Sequence, residues 1–267
     1  ERNLEPASNY LGLMHWNSAK YLAFFLLCIY PIYLLGTPNA PFLPGETLEY
    51  SLKWGFIPVG FATMEVGSRQ PGDEQPWKVL FSVRTNRFAD NFYKVRTHIS
   101  SLVDANFTRT LKYQKSQKEG KTNNEIVVDF NYEKEKVVFI ENNQTPRILA
   151  LTKNVYDPLS IAFAYRFYPS NSHKNKTFPV CDGKKFLNVR LNAGEKAKIE
   201  VPYGIFWAND VVPDMKNLSG VFKKSPKGIL RVWYSADKRR IPLKISSEVV
   251  VGRFTAQLIR ARGLKEN

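Results

Sequence analysis

The amino-acid sequence predicts a mainly β fold, a large twisted antiparallel meander sheet that is partly closed or barrel-like, with one short buried helix at about 158–168. Short segments in which apolar and polar residues alternate follow one another along most of the chain, as in half-buried strands. Turn residues separate these segments, and the strand–helix–strand rhythm of a parallel sheet is absent. The composition, 43% apolar and 24% charged over 267 residues, is typical of a globular domain. Twisting and partial closure would protect the edge strands of such a sheet.

The first two strands are predicted within residues 45–68, GETLEYSLKWGFIPVGFATMEVGS. Leucine, tyrosine and tryptophan alternate with polar residues before the apolar connection FIPV, and alternation resumes after it. The side chains of this connection must be covered by the fold, by a partner or by lipid. Either they cap one end of the core, or Phe56, Ile57 and Val59, next to Trp54, border a hydrophobic cavity.

The same alternation predicts roughly a dozen short strands in the whole chain. WKVLFSVRTN and KVRTHISSLVD follow the first hairpin, and RTLKYQKSQKEGKTNNEIVVDFNYEKEKVVFIE contains three strands with turns at Glu119-Gly120 and near 133–136. FPVCDGKKFLNVRL carries the pair Asp182-Gly183, a strong signal for a two-residue hairpin turn. The remaining strands are predicted in KAKIEVPYG, GILRVWYS, RRIPLKISSEVVVG and RFTAQLIRAR.

One segment, NVYDPLSIAFAYRFYPS, departs from the strand pattern. Asp157 is a suitable helix N-cap, Pro158 suits the first helical position, and Pro169 stops the helix. The residues between them leave almost no polar face, and a helix that is apolar on all sides is buried or lies in a membrane. Since it is too short to span a bilayer, we expect it to fill the concave side of the sheet.

The N-terminal part contains an uncharged apolar run, residues 21–36, directly after Lys20. It is shorter than the roughly 20 residues that span a bilayer comfortably, and it suits the core of a signal peptide or a short membrane anchor. A buried core helix is the alternative. We predict a signal peptide or anchor over 1–36, a linker over 37–45, and a single β-rich domain over 46–267.

The formal net charge of +15 indicates an acidic partner, such as anionic lipid, acidic polysaccharide or nucleic acid. Basic side chains crowd three places: Lys112, Lys115 and Lys118 in one hairpin, Lys223 and Lys224 in a loop, and residues 238–240 in a turn. Alternatively, these lysines only keep sheet edges soluble and unpaired. No nucleic-acid-binding motif supports a nucleic-acid partner.

Motifs of catalysis and metal binding are absent from the sequence. The three histidines form no HExxH motif or metal-spaced pair, and no CxxC, GxSxG or GxxxxGK[ST] occurs. Beyond the apolar run, Cys181 is the one cysteine, so no internal disulfide can form there. A hydrolase built on a Cys181–histidine dyad or on two carboxylates stays open, but we predict no cofactor, no metal and no catalytic residue.

Four segments, in this order, resemble the bacterial domain-of-unknown-function family numbered 3108: PGETLEYSLKWGFIPVGFATMEV, FYKVRTHISSLVD, VYDPLSIAFAYRFYP and GVFKKSPKGILRVWYSADKRRIPLKISSEVVVGRFTAQLI. The similarity covers most of Phe42 to Arg262. The resemblance implies an exported protein of a Gram-negative bacterium with a predominantly β fold, and it supplies no catalytic residues. We therefore expect this protein in the periplasm, or anchored in a membrane and facing the periplasm.

Two functional hypotheses follow. The first is a non-enzymatic cell-envelope protein that binds an anionic amphiphile or polysaccharide at the periplasmic side of a membrane, with residues 21–36 associating with that membrane. The second is a protein-interaction or scaffolding module in a larger envelope assembly, without a small ligand. For the first hypothesis, the predicted ligand-binding residues are Trp54, Phe56, Ile57, Val59, Lys112, Lys115, Lys118, Lys223 and Lys224.

Overall fold

The computed structural model describes residues 40–69, 74–167, 176–214, 229–249 and 252–267, which all belong to the compact unit Leu35–Asn267. These residues form fourteen strands and two short helices. The strands are β1 Thr47–Trp54, β2 Ile57–Val66, β3 Trp77–Thr85, β4 Val95–Val103, β5 Thr110–Glu119, β6 Thr122–Asn131, β7 Lys136–Glu141, β8 Arg147–Ala150, β9 Lys176–Cys181, β10 Phe186–Val201, β11 Gly204–Pro213, β12 Ile229–Ser235, β13 Pro242–Val249 and β14 Gly252–Arg262. The helices are α1 Arg87–Asp90 and α2 Ser160–Phe167.

All fourteen strands belong to one sheet in the order β8-β7-β6-β5-β4-β3-β2-β1-β14-β13-β12-β11-β10-β9. Every neighbouring pair is antiparallel, and the ladder between β1 and β14 joins the beginning of the domain to its end. The predicted antiparallel meander is therefore confirmed. The strand ladders leave β8 and β9 as the two edges of the sheet.

The chain between β8 and α2 brings the two halves of the sheet together. The backbone N–H of Tyr156 donates to Pro179 of β9 (2.9 Å), and the N–H of Cys181 donates back to Tyr156 (2.8 Å). One residue earlier, the carbonyl of Val155 accepts from the N–H of Thr110 at the start of β5 (2.9 Å). These bonds give the sheet the partial closure that the sequence predicts, without a continuous ladder.

Two local signals read from the sequence, the turn at Asp182-Gly183 and the Asp157 cap, have the predicted structure. The hairpin between β9 and β10 turns at Gly183, which has a φ of 87°, a value that favours glycine. At the start of α2, Oδ1 of Asp157 accepts from the N–H groups of Leu159 (2.7 Å) and Ser160 (3.0 Å), which is the geometry of an N-cap. The helix begins at Ser160 rather than at Pro158. Residue 168 and Pro169 lie outside the described residues.

The core lies between α2 and the inward faces of the strands, and aromatic rings form much of it. Phe42 is edge-on to Trp77 (centroids 5.2 Å apart) and to Phe163 of α2 (5.8 Å), while Phe107 stacks on Phe167 (4.5 Å). Edge-on and offset rings are the favoured arrangements of aromatic pairs. Because Phe42 is fully buried, the packed domain includes residues within the range predicted as linker.

The helix α2 carries one charged residue, Arg166, and the fold buries it completely. Its guanidinium makes two parallel bonds to Glu46, from Nη1 to Oε1 (2.5 Å) and from Nη2 to Oε2 (3.0 Å). Nε of Arg166 donates to the carbonyl of Arg239 (3.0 Å), and the Arg240 side chain donates to the carbonyl of Arg166. These contacts fix the end of α2 against the start of β1 and the turn after β12.

Candidate functional site

An apolar cleft lies between α2 and strands β9–β12, and we call it the α2 cleft. It has a volume of about 290 Å³. Apart from Tyr165, Tyr234 and Asp182, its lining is aliphatic. The main apolar lining residues are Ile161, Ala162, Val180, Leu191, Val211 and Leu230. The helix predicted to fill the concave side of the sheet thus leaves part of it open next to these four strands.

The inward face of the sheet connects the α2 cleft to the β1–β2 hairpin. Leu52 of β1 lies opposite Ala256 of β14, which lies opposite Ile245 of β13. Ile245 in turn lies opposite Val232, and Val232 opposite Val211. Directly paired residues share a face of the sheet. The row is therefore a continuous apolar path of four strand spacings, about 19 Å, that ends in the cleft.

Two tyrosines contribute polar atoms to the cleft. The rings of Tyr165 and Tyr234 lie 4.3 Å apart, and the Tyr234 hydroxyl donates to the carbonyl of Ala162 (3.3 Å). Burial raises the pKa of Tyr165 to about 12, so that its hydroxyl is neutral at physiological pH. A cation stands beside the cleft, since Lys176 lies opposite the lining residue Leu191, and burial lowers the pKa of Lys176.

A second depression, the basic groove, lies on β12–β14 beside the β1–β2 hairpin. It has a volume of about 660 Å³, and its lining includes two aromatic rings, three basic residues and one carboxylate: Phe56, Trp233, Arg231, Lys244, Arg253 and Glu248. The Lys244 ammonium lies 4.9 Å from the centre of the Trp233 ring, and the Arg231 guanidinium lies 5.7 Å from it. Cations over an aromatic face, with further cations nearby, suit an anionic group that also presents an apolar surface.

The apolar connection of the β1–β2 hairpin projects into solvent. Phe56 is 98% exposed, Trp54 and Ile57 are each 45% exposed, and Val59 is half-buried. The interpretation that this connection caps the core is therefore wrong. Phe56 instead borders the basic groove, and Trp54 stacks on Phe254 of β14 with a centroid distance of 6.3 Å.

Helix α1, which the sequence analysis did not predict, adds further exposed aromatic rings next to this hairpin. Its residue Phe88 and the following Phe92 and Tyr93 are all exposed. The cap residue Asn86 ties α1 to the hairpin, because its backbone N–H donates to Val59 (2.9 Å) and its side chain to Pro58 (2.8 Å). The signal available in the sequence was the Asn86 cap within TNRFAD. A helix of four residues is too short to show a helical repeat of apolar residues.

An ion pair holds the segment that carries these rings. Nη2 of Arg96 lies 2.6 Å from Oδ2 of Asp90, and the Thr85 hydroxyl donates to Oδ1 of Asp90 (2.5 Å). The hydrogen bonds from Arg96 and Thr85 lower the pKa of Asp90 to about 2. At pH values above the ordinary pKa of aspartate, this carboxylate therefore stabilises the fold. The contribution to stability is lost as the pH falls towards 2.

We predict that an NMR titration of the Asp90 side-chain carboxyl will give a midpoint near 2. Replacement of Thr85 with Val removes one of the two donors and should raise the midpoint, while the Arg96 bond persists. A midpoint at the ordinary value in the wild-type protein would contradict the ion-pair geometry.

The lysines that crowd β5 do not form one surface. Lys112 pairs with Asp129 (3.1 Å), and Lys118 is exposed. Lys115 is an odd number of residues from both and so lies on the opposite face, where burial lowers its pKa. The structure therefore does not bring Lys112, Lys115 and Lys118 together on one face, and their part in binding an anionic ligand stays a prediction. Lys223 and Lys224 lie outside the described residues.

The basic turn at 238–240 has a structural role. Nη2 of Arg239 lies 2.6 Å from Oδ2 of Asp237, and the Arg240 side chain bonds the carbonyl of Arg166. Among the described residues, no group of three or more His, Cys, Asp and Glu side chains could hold a metal ion. Cys181 is buried, and burial raises its thiol pKa to about 11, which disfavours the reactive thiolate.

The family profile described as "Protein of unknown function (DUF3108)" matches residues 49–259. The chain belongs to the DUF3108 family. This confirms the resemblance seen in the sequence. No curated protein matches this DUF3108 chain significantly.

Among solved structures, this DUF3108 chain is similar to a β-barrel-like protein of the domain of unknown function DUF1849 from Brucella abortus. The TM-score is 0.59 at 11% identity, over 84% of this chain and 99% of that chain, which shows a common fold. It is also similar to the hypothetical protein CT021 from Chlamydia trachomatis, with a TM-score of 0.36 at 10% identity, over 84% of this chain and 90% of that chain. In the part of the DUF3108 chain that the structure describes, no helix is long and apolar enough to cross a membrane.

Proposed function

We propose that this DUF3108 member is a non-enzymatic cell-envelope protein that binds an anionic amphiphile, with the apolar part of the ligand in the α2 cleft. The observation that carries the proposal is the aliphatic lining of a cleft of about 290 Å³. This volume is near the lower end of the roughly 300–1,000 Å³ of known ligand pockets. Each buried methylene group of a ligand contributes about 0.8 kcal/mol, so a single alkyl chain suits the cleft.

The proposed anionic character of the ligand rests on charge. The protein carries a net charge of +15, Lys176 lies opposite the lining residue Leu191, and the basic groove adds further cations. An acidic polysaccharide would use the basic groove but would gain nothing from an aliphatic cleft. The cell-envelope location rests on the apolar run 21–36 and on the family resemblance described above.

We predict that the full-length protein binds myristate in a titration followed by isothermal calorimetry, and that Ala162→Trp lowers the affinity at least tenfold. Ala162 lines the cleft, and an indole there would occupy the space proposed for the alkyl chain. The matched control is Ala197→Trp on an exposed position of β10, which should leave binding unchanged. Myristyl alcohol should bind more weakly than myristate if the anionic group is recognised.

Two results would contradict the proposal. One is the absence of myristate binding to the wild-type protein, and the other is equal binding by Ala162→Trp while circular dichroism shows it folded.

Native mass spectrometry after gentle extraction distinguishes the classes of partner. A co-purifying lipid supports the amphiphile proposal, a co-purifying glycan supports polysaccharide binding instead, and a stoichiometric protein supports the scaffolding alternative.

A further inference from the structure

Exposed apolar side chains concentrate at one end of the sheet, which we call the aromatic end. Thirteen large hydrophobic side chains are exposed among the described residues. Eight of them belong to the aromatic end: Trp54, Phe56, Ile57, Phe61, Phe88, Phe92, Tyr93 and Phe254. A concentration of this kind marks an interaction site more often than isolated exposed side chains do.

Sheet topology places these residues at the same end. In an antiparallel meander, the end of one strand and the start of the next lie at the same end of the sheet. The β1–β2 connection, the α1 segment between β3 and β4, and the start of β14 belong to adjacent strands in the order β4-β3-β2-β1-β14. The exposed rings therefore form one continuous border of the sheet rather than scattered points.

Two of these rings, those of Trp54 and Tyr93, are held in place although they face solvent. Trp54 stacks on Phe254, and it lies so close to Gly252 that a Cβ atom there would be 2.8 Å from its Nε1. Tyr93 packs against Gly120 in the turn between β5 and β6, where a Cβ would be 2.6 Å from the ring. Gly252 and Gly120 thus provide the space that these two aromatic side chains occupy.

Positive charge surrounds the rings. The ranges 53–61, 84–96, 118–122, 248–249 and 252–255 contain eight Lys and Arg residues but three carboxylates, those of Asp90, Glu119 and Glu248. Asp90 is paired with Arg96 (2.6 Å), and Glu248 lies 3.4 Å from Arg253. The end of the sheet with the most exposed aromatic surface is therefore also basic.

We propose that the aromatic end docks onto the surface of an anionic phospholipid bilayer. Aromatic rings partition into the boundary between headgroups and acyl chains, and Lys and Arg next to them attract anionic headgroups. Aromatic side chains and Arg are enriched in protein interfaces too, but Lys, which supplies four of the eight cations, is depleted there, so a bilayer suits this composition better than a protein partner does. The docking does not depend on the α2 cleft, although the apolar row from Leu52 to Val211 begins beside the same hairpin.

The test places an environment-sensitive fluorophore on one introduced cysteine at a time in the full-length chain. Cys28 is replaced with Ser in every variant. Cys181 is buried and stays unlabelled in the native protein. Labels at Phe56→Cys and Phe92→Cys, 98% and 77% exposed, should shift to the blue with vesicles containing phosphatidylglycerol. Labels at Ile205→Cys and Trp207→Cys, 59% and 57% exposed on β11, are matched controls and should not shift.

The four positions share the same N-terminal segment, so that attachment through residues 21–36 cannot by itself produce the difference between them. Emission that is unchanged at positions 56 and 92, or that shifts equally at all four positions, would overturn the proposal. Equal shifts with phosphatidylcholine vesicles and with phosphatidylglycerol vesicles would overturn the anionic surface as the partner. The Ala162→Trp variant should retain the shifts at positions 56 and 92, which separates docking from ligand binding in the cleft.

Discussion

Replacement of Arg166 with Met is expected to destabilise the fold by about 3–5 kcal/mol, because it leaves the Glu46 carboxylate buried without its partner. Arg166 and Glu46 are 0% and 1% exposed, and two hydrogen bonds of 2.5 and 3.0 Å join them. A charge removed from water is tolerated only when its pairing is nearly complete. Urea denaturation followed by circular dichroism measures the loss.

The double variant Glu46→Gln/Arg166→Met is the control for this prediction. It removes both charges, so it should be more stable than Arg166→Met alone, as expected when two buried partners are coupled. Arg166→Lys should fall between the wild-type protein and Arg166→Met, because an ammonium keeps the charge but cannot form the two-pronged bond. Equal stability of the double variant and Arg166→Met would show that lost packing on Phe42 (4.8 Å from the guanidinium), rather than the unpaired carboxylate, causes the loss.

Much of the fold is readable from the sequence because strand alternation is a local property. The meander, the turn at Gly183 and the Asp157 cap depend on residues that are neighbours in the chain. The strand β8 was missed because its four residues, RILA, are too few to show a period of two. The burial of Arg166 was also missed, since its partner Glu46 is 120 residues away and no local pattern connects them.

The candidate site was less predictable than the fold, for two physical reasons. Alternation alone puts Lys115 on the face opposite Lys112 and Lys118, so the separation of these lysines is readable from the sequence. The pairing of Lys112 with Asp129 depends on the register between β5 and β6. The α2 cleft depends on the curvature of the sheet and on where α2 packs, and neither follows from the alternation in any single strand.

Replacement of Asp157 with Ala is expected to destabilise the fold by about 2–4 kcal/mol, the combined cost of a lost N-cap and of buried donors left without acceptors. The carboxylate is fully buried and accepts from the N–H groups of Leu159 and Ser160. It also accepts from the hydroxyls of Ser101 and Thr110, each at 2.8 Å. These bonds join β4 and β5 to the start of α2, so their loss would loosen one wall of the α2 cleft. Urea denaturation measures the difference.

Replacement of Asp157 with Asn measures the contribution of the N-cap separately from that of the charge. The amide oxygen can still accept from the two backbone N–H groups, so this variant should lose less stability than Asp157→Ala.

Burial raises the pKa of Asp157, which means that the native state holds the proton more tightly than the unfolded chain. The stability that wild-type Asp157 provides is therefore greatest below the unfolded pKa of about 3.9 and falls as the pH rises through the native pKa. The side chain of the Asn variant does not titrate. As the pH rises from 4 to 7, the wild-type protein should therefore lose stability relative to the Asn variant. A stability difference that stays constant over this range would show that the four hydrogen-bond donors offset the cost of burying the charge.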